Sequence, residues 1–281
     1  MSSRFAFALL AVLAFGACDD APPPDSKTSA SPPRCGNVVW SADHETGDLS
    51  QWYTSDGGGE FNSGAAESSP SQDVAHSGRY SAKMTIGTPH VPVTSGVRLF
   101  RWKESHANPE ACYSAWYYFP QRYIVPVWWN IFAFKSRSGT TLNDPFWSLE
   151  VANRSSGAMF VYLNWWEGLS IEGPHQGESG NRSYSQTLMD IPVGRWTHVQ
   201  LYVKQSSEFD GQIIVWQDDV ELINVNRIRT RYAAVNGANE WLLANYSDSI
   251  VPSPTTIYID DATIRSVAAG LSPVGAVAAN R

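Results

Sequence analysis

The chain has 281 residues, with 20 Lys and Arg against 27 Asp and Glu, a formal net charge of −7. That length fits one sizeable β domain or two small ones, and an acidic chain without a basic run is a poor partner for nucleic acid. Twelve Trp, 12 Tyr, 11 Phe, 21 Gly and 17 Pro favour strands and turns over helices.

Residues 1–18 read as a targeting segment. Arg4 supplies the positive end, Phe5 to Phe15 the apolar run, and Gly16-Ala17 the small residues before Cys18. The apolar run is too short for a spanning helix. Phe-Gly-Ala-Cys resembles a bacterial lipobox, which implies a lipid on Cys18 and attachment to a membrane of the cell envelope. A plain secretory signal is the alternative, and both predict export. Residues 19–35 are rich in Pro, Ser and Asp and read as a tether. With Cys18 lipidated, Cys35 and Cys112 are the remaining thiols, and in an oxidising compartment an even remainder suggests one bridge.

The domain proper is expected over 36–266. Strands are predicted near 79–84, 111–119 and 128–135, the last aromatic throughout and buried in part on both faces. Residues 145–152 alternate Trp147, Leu149 and Val151 inward with Phe146, Ser148 and Glu150 outward. Residues 158–164 alternate Met159, Val161 and Leu163 inward with Phe160, Tyr162 and Asn164 outward. Trp165-Trp166 follows as a platform on which pyranose rings could stack. The clearest strand is 196–204. Thr197, Val199, Leu201 and Val203 point one way, and His198, Gln200, Tyr202 and Lys204 point the other, about 7 Å between neighbours. That second row puts an imidazole, an amide, a phenol and an ammonium side by side, groups that bind sugar hydroxyls and carboxylates and move protons. Strands at QIIVWQ and VELINV follow, joined at Asp218-Asp219, and TIYIDDATI closes the domain. Residues 267–281 read as a disordered tail.

Many short strands without βαβ alternation predict an all-β fold, a two-sheet antiparallel β-sandwich of jelly-roll type. If Ser148/Glu150, Tyr162/Asn164 and the row from His198 to Lys204 share a sheet, their outward faces tile one groove. Glu45 and Asp260/Asp261 form a second candidate site. First and last strands of jelly rolls commonly adjoin, and an oxygen-only ligand set suits a structural Ca²⁺. No Cys/His spacing suggests zinc and no nucleotide-binding loop occurs, so no organic cofactor is expected.

HETGDLSQW, AHSGRYSAKM, SAWYYFP, DPFWSLEVANR, GRWTHVQLYVKQ with DGQIIVWQDDVELINV, and PTTIYIDDATI together resemble the polysaccharide-lyase-like, heparin-lyase-I-like domains. These are concanavalin A-like jelly rolls that include glucuronan and alginate lyases. The resemblance spans nearly all of 38–266. It implies β-elimination on a uronic-acid-containing, acidic polysaccharide. Tyr202-Val203-Lys204 is similar to the Tyr-Phe-Lys strand of alginate lyases, which implies Tyr202 as acid/base and His198 as base or neutraliser. Gln200, Lys204 and Arg98 would then handle the carboxylate. The Gln-Ile-His trio of those enzymes is missing, with Ala133 in the corresponding IFAFK stretch. The Glu45 and Asp260/Asp261 combination is similar to the calcium site of related carbohydrate-binding jelly rolls. A non-catalytic module that holds glycan through Trp165, Trp166, Tyr162, Asn164 and Glu150 is the alternative function. Either form is expected to be a monomer.

Overall fold

The computed structural model describes residues 35–53, 57–87, 94–101, 109–137, 146–167, 180–231 and 238–268. Cys18, the signal-like segment, all of the tether before Cys35 and the tail beyond 268 lie outside the described residues.

Among the described residues the chain is built from strands, with one 3₁₀ turn at Ser50–Trp52. In chain order they are β1 (Cys35–Ala42), β2 (Gly59–Ser63), β3 (Ala66–Ser71), β4 (Ser81–Ile86), β5 (Ser95–Arg101), β6 (Glu110–Tyr118), β7 (Trp129–Arg137) and β8 (Phe146–Asn153). Then follow β9 (Met159–Glu167), β10 (Gly180–Tyr184), β11 (Trp196–Lys204), β12 (Gly211–Gln217), β13 (Val220–Ile228), β14 (Ala238–Ser247) and β15 (Thr255–Val267). Among the described residues they form two antiparallel sheets. The eight-stranded sheet runs β13-β12-β11-β6-β15-β4-β3, with β1 also on β15. The seven-stranded sheet runs β10-β9-β8-β7-β14-β5-β2.

Period-two alternation explains how the sheets meet. Tyr113, Ala115 and Tyr117 of β6 and Val199, Leu201 and Val203 of β11 enter one buried cluster. Trp147, Leu149 and Val151 of β8 and Val161 and Leu163 of β9 enter it from the other sheet. The inward assignments for 145–152, 158–164 and 196–204 thus match the sequence reading. At the β12–β13 hairpin, Asp218 and Asp219 both adopt positive φ, 47° and 66°. The Asp218 carboxylate holds the turn from β11: Oδ1 accepts from the His198 N–H at 2.8 Å and Oδ2 from the Thr197 hydroxyl at 3.0 Å. That local bonding offsets the steric cost of left-handed backbone at Asp.

Two expectations are corrected by the topology. β11 lies in one sheet and β8 and β9 in the other, so the outward rows of these strands cannot tile one groove. The sequence reading also assigned no strand to 238–247, yet β14 stands between β7 and β5 in the seven-stranded sheet. Its outward Leu242 and Ala244 are as apolar as its inward Trp241 and Leu243, which erases the alternation that marks a half-buried strand.

Candidate active site

The row on β11 faces away from the core, on the outer surface of the eight-stranded sheet, and its members are engaged with neighbouring side chains. The His198 ring stacks on Trp116 at 4.9 Å between centroids, and Trp116 stacks on His76 at 3.8 Å. Burial pushes the His198 imidazole below its ordinary value, against the pull of Asp219 and Asp218. Tyr202 is buried with Cys112, Ile214 and Trp216, over the disulfide that joins Cys35 to Cys112. Its hydroxyl donates to the Glu110 carboxylate. Burial, then Glu110, hold that phenol well above its usual range. Lys204 pairs with Asp210 at 3.1 Å, and Gln200 sits half-buried between Ser114 and Trp216 in the ladder.

A different constellation occupies the outer face of the seven-stranded sheet. Ladder register places Tyr162 of β9, Glu150 of β8, Asn130 of β7, Tyr246 of β14 and Gly96 of β5 in one line across five strands. Neighbours in such a line lie about 5 Å apart at the backbone. Glu150 is buried. It accepts from the Tyr162 hydroxyl on Oε2 at 2.5 Å and from the Ser148 hydroxyl on Oε1 at 2.8 Å. Burial, reinforced by the Glu150 charge, pushes the Tyr162 phenol far up. Asn130 is only 2% exposed, and its Oδ1 has no hydrogen-bond partner among the described residues. A buried amide oxygen without a protein partner costs about 1–3 kcal/mol unless a water or a ligand group donates to it.

Beyond Asn130 the line reaches Tyr246. The Arg98 guanidinium lies 4.1 Å from the centre of the Tyr246 ring and 5.3 Å from that of Phe61. Two aromatic rings flank the guanidinium, and among the described residues no carboxylate pairs with it, so its N–H fork can take one. Trp128 meets Tyr246 edge-on at 4.9 Å between centroids, and a Cβ on Gly96 would come within 2.1 Å of the Tyr246 ring. Glycine at 96 is therefore what lets the phenol lie where it does. The floor beside this line is small and apolar, made by Ala133, Leu242 and Ala244.

The remaining predicted residues divide. Asn164 lies on this same face, where its side-chain oxygen accepts from Ser183 at 2.9 Å. Trp166 is 46% exposed there, next to Phe146, whereas Trp165 turns inward and packs on the core beside Trp147. The two tryptophans cannot form one platform, because consecutive strand residues face opposite sides. Sequence reasoning missed Asn130 and Tyr246. Asn130 had a signal, as the one polar residue inside the aromatic run Trp128 to Phe134; Tyr246 sits on the strand with no alternation.

Glu45 and the Asp260/Asp261 pair do meet around one loop, 76–80, and β1 does pair with β15. Their oxygens face hydrogen-bond donors. Glu45 Oε1 accepts from the N–H groups of Arg79 and Tyr80, both at 2.7 Å. Asp260 Oδ2 accepts from the His76 N–H at 2.8 Å, and Oδ1 from the Asp261 N–H at 2.8 Å. Asp261 Oδ2 lies 2.6 Å from His76 Nδ1, and Oδ1 accepts from the Ser77 hydroxyl. Among the described residues no three metal-binding side chains cluster. A calcium cage needs oxygens turned toward one point, so these residues as arranged staple a loop and do not fit the ion.

Comparison with known proteins agrees with this architecture. A family model described as Polysaccharide lyase matches residues 44–262. No curated protein matches the chain. Among solved structures, an endo-β-1,4-glucuronan lyase from the fungus Trichoderma reesei superposes with a TM-score of 0.60 at 15% identity, covering 82% of this chain and 96% of that one. An alginate lyase from a Chlorella virus gives 0.57 at 12% identity, covering 82% and 100%. A marine alginate lyase from Aplysia kurodai gives 0.53 at 14% identity, covering 82% and 99%. At such identities the superpositions establish a shared fold, and the match to the family model over most of the chain establishes that this protein belongs to the polysaccharide lyase family.

Proposed function

We propose that the protein cleaves a uronic-acid-containing polysaccharide by β-elimination on the outer face of the seven-stranded sheet. The observation that carries this reading is the adjacency of a guanidinium flanked by two rings, the Tyr246 phenol against it and, next to Tyr246 in the ladder, a buried amide whose oxygen has no partner among the described residues. β-Elimination requires the substrate carboxylate to be neutralised so that the C5 proton becomes acidic, and it requires a proton for the departing oxygen at C4. Arg98 supplies the first as a charged fork, and the unpartnered Asn130 Oδ1 accepts from a hydroxyl of the sugar beside it. Tyr246 supplies a hydroxyl next to both. Asn164 and Trp166 extend the face as sugar-binding groups. The glucuronan and alginate lyases that share the fold motivate the choice of polymers. Export, with Cys18 lipidated, is supported by the sequence of residues 1–18.

Incubation with glucuronan, alginate and heparin, followed by ultraviolet absorbance of the unsaturated uronate, tests the reaction. Turnover of at least one uronate polymer is expected, with Tyr246→Phe and Asn130→Ala each losing about 100-fold or more in kcat. Retained polysaccharide binding with no absorbance change on any of these polymers would replace the enzyme with a binding module.

A further inference from the structure

The line across the sheet holds two phenols, one on each side of Asn130, in opposite electrostatic surroundings. Tyr246 rests against a cation, and Tyr162 is hydrogen-bonded to a buried anion. A carboxylate bonded to a phenol offers a place for that phenol's proton to go, and a guanidinium against a phenol ring can sit beside the phenolate once its proton has left. Glu150 is fixed for this by Ser148, whose hydroxyl occupies Oε1 and leaves Oε2 to Tyr162. No cation pairs with Glu150 among the described residues. Arg154 lies over the Phe160 ring with its Nε on Asp190 at 2.6 Å.

Resting on the proposed elimination, we infer that the two tyrosines divide the proton transfers: Glu150, acting through Tyr162, is the base for C5, and Tyr246 is the acid for the leaving oxygen. The C5–H bond breaks and its proton bonds to Tyr162 Oη while the Tyr162 hydroxyl proton passes to Glu150 Oε2. The electron pair released at C5 forms the C4–C5 double bond, the C4–O bond breaks, and the departing oxygen takes the Tyr246 proton. Glu150 ends protonated and Tyr246 ends as a phenolate beside Arg98. Loss of one proton to water from Glu150 and gain of one by Tyr246 restore the starting state. Glu150 is a positioning and proton-accepting residue that works through Tyr162, with no contact to the sugar required.

Separating acid from base makes the two sides respond differently to the leaving group. Glu150→Gln, Tyr162→Phe and Tyr246→Phe are to be compared on whichever of glucuronan and alginate the wild type cleaves, and on a uronide carrying 4-nitrophenolate at C4. On the polymer all three are expected to lose about 100-fold or more in kcat with KM changed less than about threefold. On the nitrophenolate, which departs without a proton, Tyr246→Phe is expected to recover to within about 10-fold of wild type, and the other two are not. Polymer turnover by Glu150→Gln and Tyr162→Phe within threefold of wild type, with Tyr246→Phe inactive, would overturn the division of labour and leave the site standing. Wild-type turnover by all three would remove the site itself. Should Glu150→Gln fail to fold, the half-buried Tyr162→Phe decides by the same two substrates.

Discussion

The two sheets present outer faces of similar composition and opposite condition. On the eight-stranded sheet His198 is stacked on Trp116, Tyr202 is buried over a disulfide and Lys204 is ion-paired with Asp210. On the seven-stranded sheet Arg98 lies against the rings of Tyr246 and Phe61 with no ion pair among the described residues, and Asn130 keeps a buried oxygen unpartnered among them. The difference separates a row of stacked, buried and ion-paired groups from a face where a guanidinium and an amide oxygen have no hydrogen-bond partner among the described residues. A satisfied polar group contributes to stability, and an unsatisfied one is open to a water or a ligand group.

Breaking the contrast from the open side should give the largest effect. Gly96→Ala inserts a methyl group into the Tyr246 ring position, where the Cβ-to-ring separation would be 2.1 Å. Displacement of the phenol by about 1 Å is expected to lower kcat about 100-fold, with turnover and thermal unfolding measured side by side. A variant that unfolds near the wild-type temperature and keeps full turnover would detach Tyr246 from the chemistry. On the closed side, His198 should report only on stability. Burial lowers its folded pKa beneath 6.5, so the unfolded chain binds the proton first. This contribution is therefore intact above about pH 6.5, declines as pH falls below that value, and stops changing once pH is under the folded pKa. His198→Asn should flatten that part of a stability-versus-pH curve from chemical denaturation, and polymer cleavage at neutral pH should not change. The smallest effect is expected from Tyr202→Phe. It removes one hydroxyl that donates to an exposed carboxylate, about 1 kcal/mol or less of stability, with turnover within twofold of wild type. A large loss of turnover in Tyr202→Phe would return the active site to the β11 face.

The sandwich was legible because most strands bury one face only. Thr197 to Val203 and Trp147 to Val151 announce their inward sides by alternation, and the motif resemblance from His44 to Ile264 pointed to the same jelly roll. The site was legible only in pieces. Arg98, Glu150, Tyr162 and Asn164 were picked out as chemistry-bearing residues, and they do lie on the open face of one sheet. The row on β11 was the stronger pattern by eye, and the alternation that made it visible says nothing about which sheet it joins. Tyr246 stayed hidden because β14 runs through the middle of its sheet with apolar residues on both sides.

What the sequence by itself determined is the alternation of each strand and hence the two-sheet sandwich, since side-chain direction along a strand is a local property of the backbone. Which outward faces adjoin, which of their polar groups are already bonded, and where an amide is left without a partner depend on strand order and ladder register. Those are long-range pairings, and only the tertiary structure could bring Tyr162, Glu150, Asn130 and Tyr246 from four separate strands into one line.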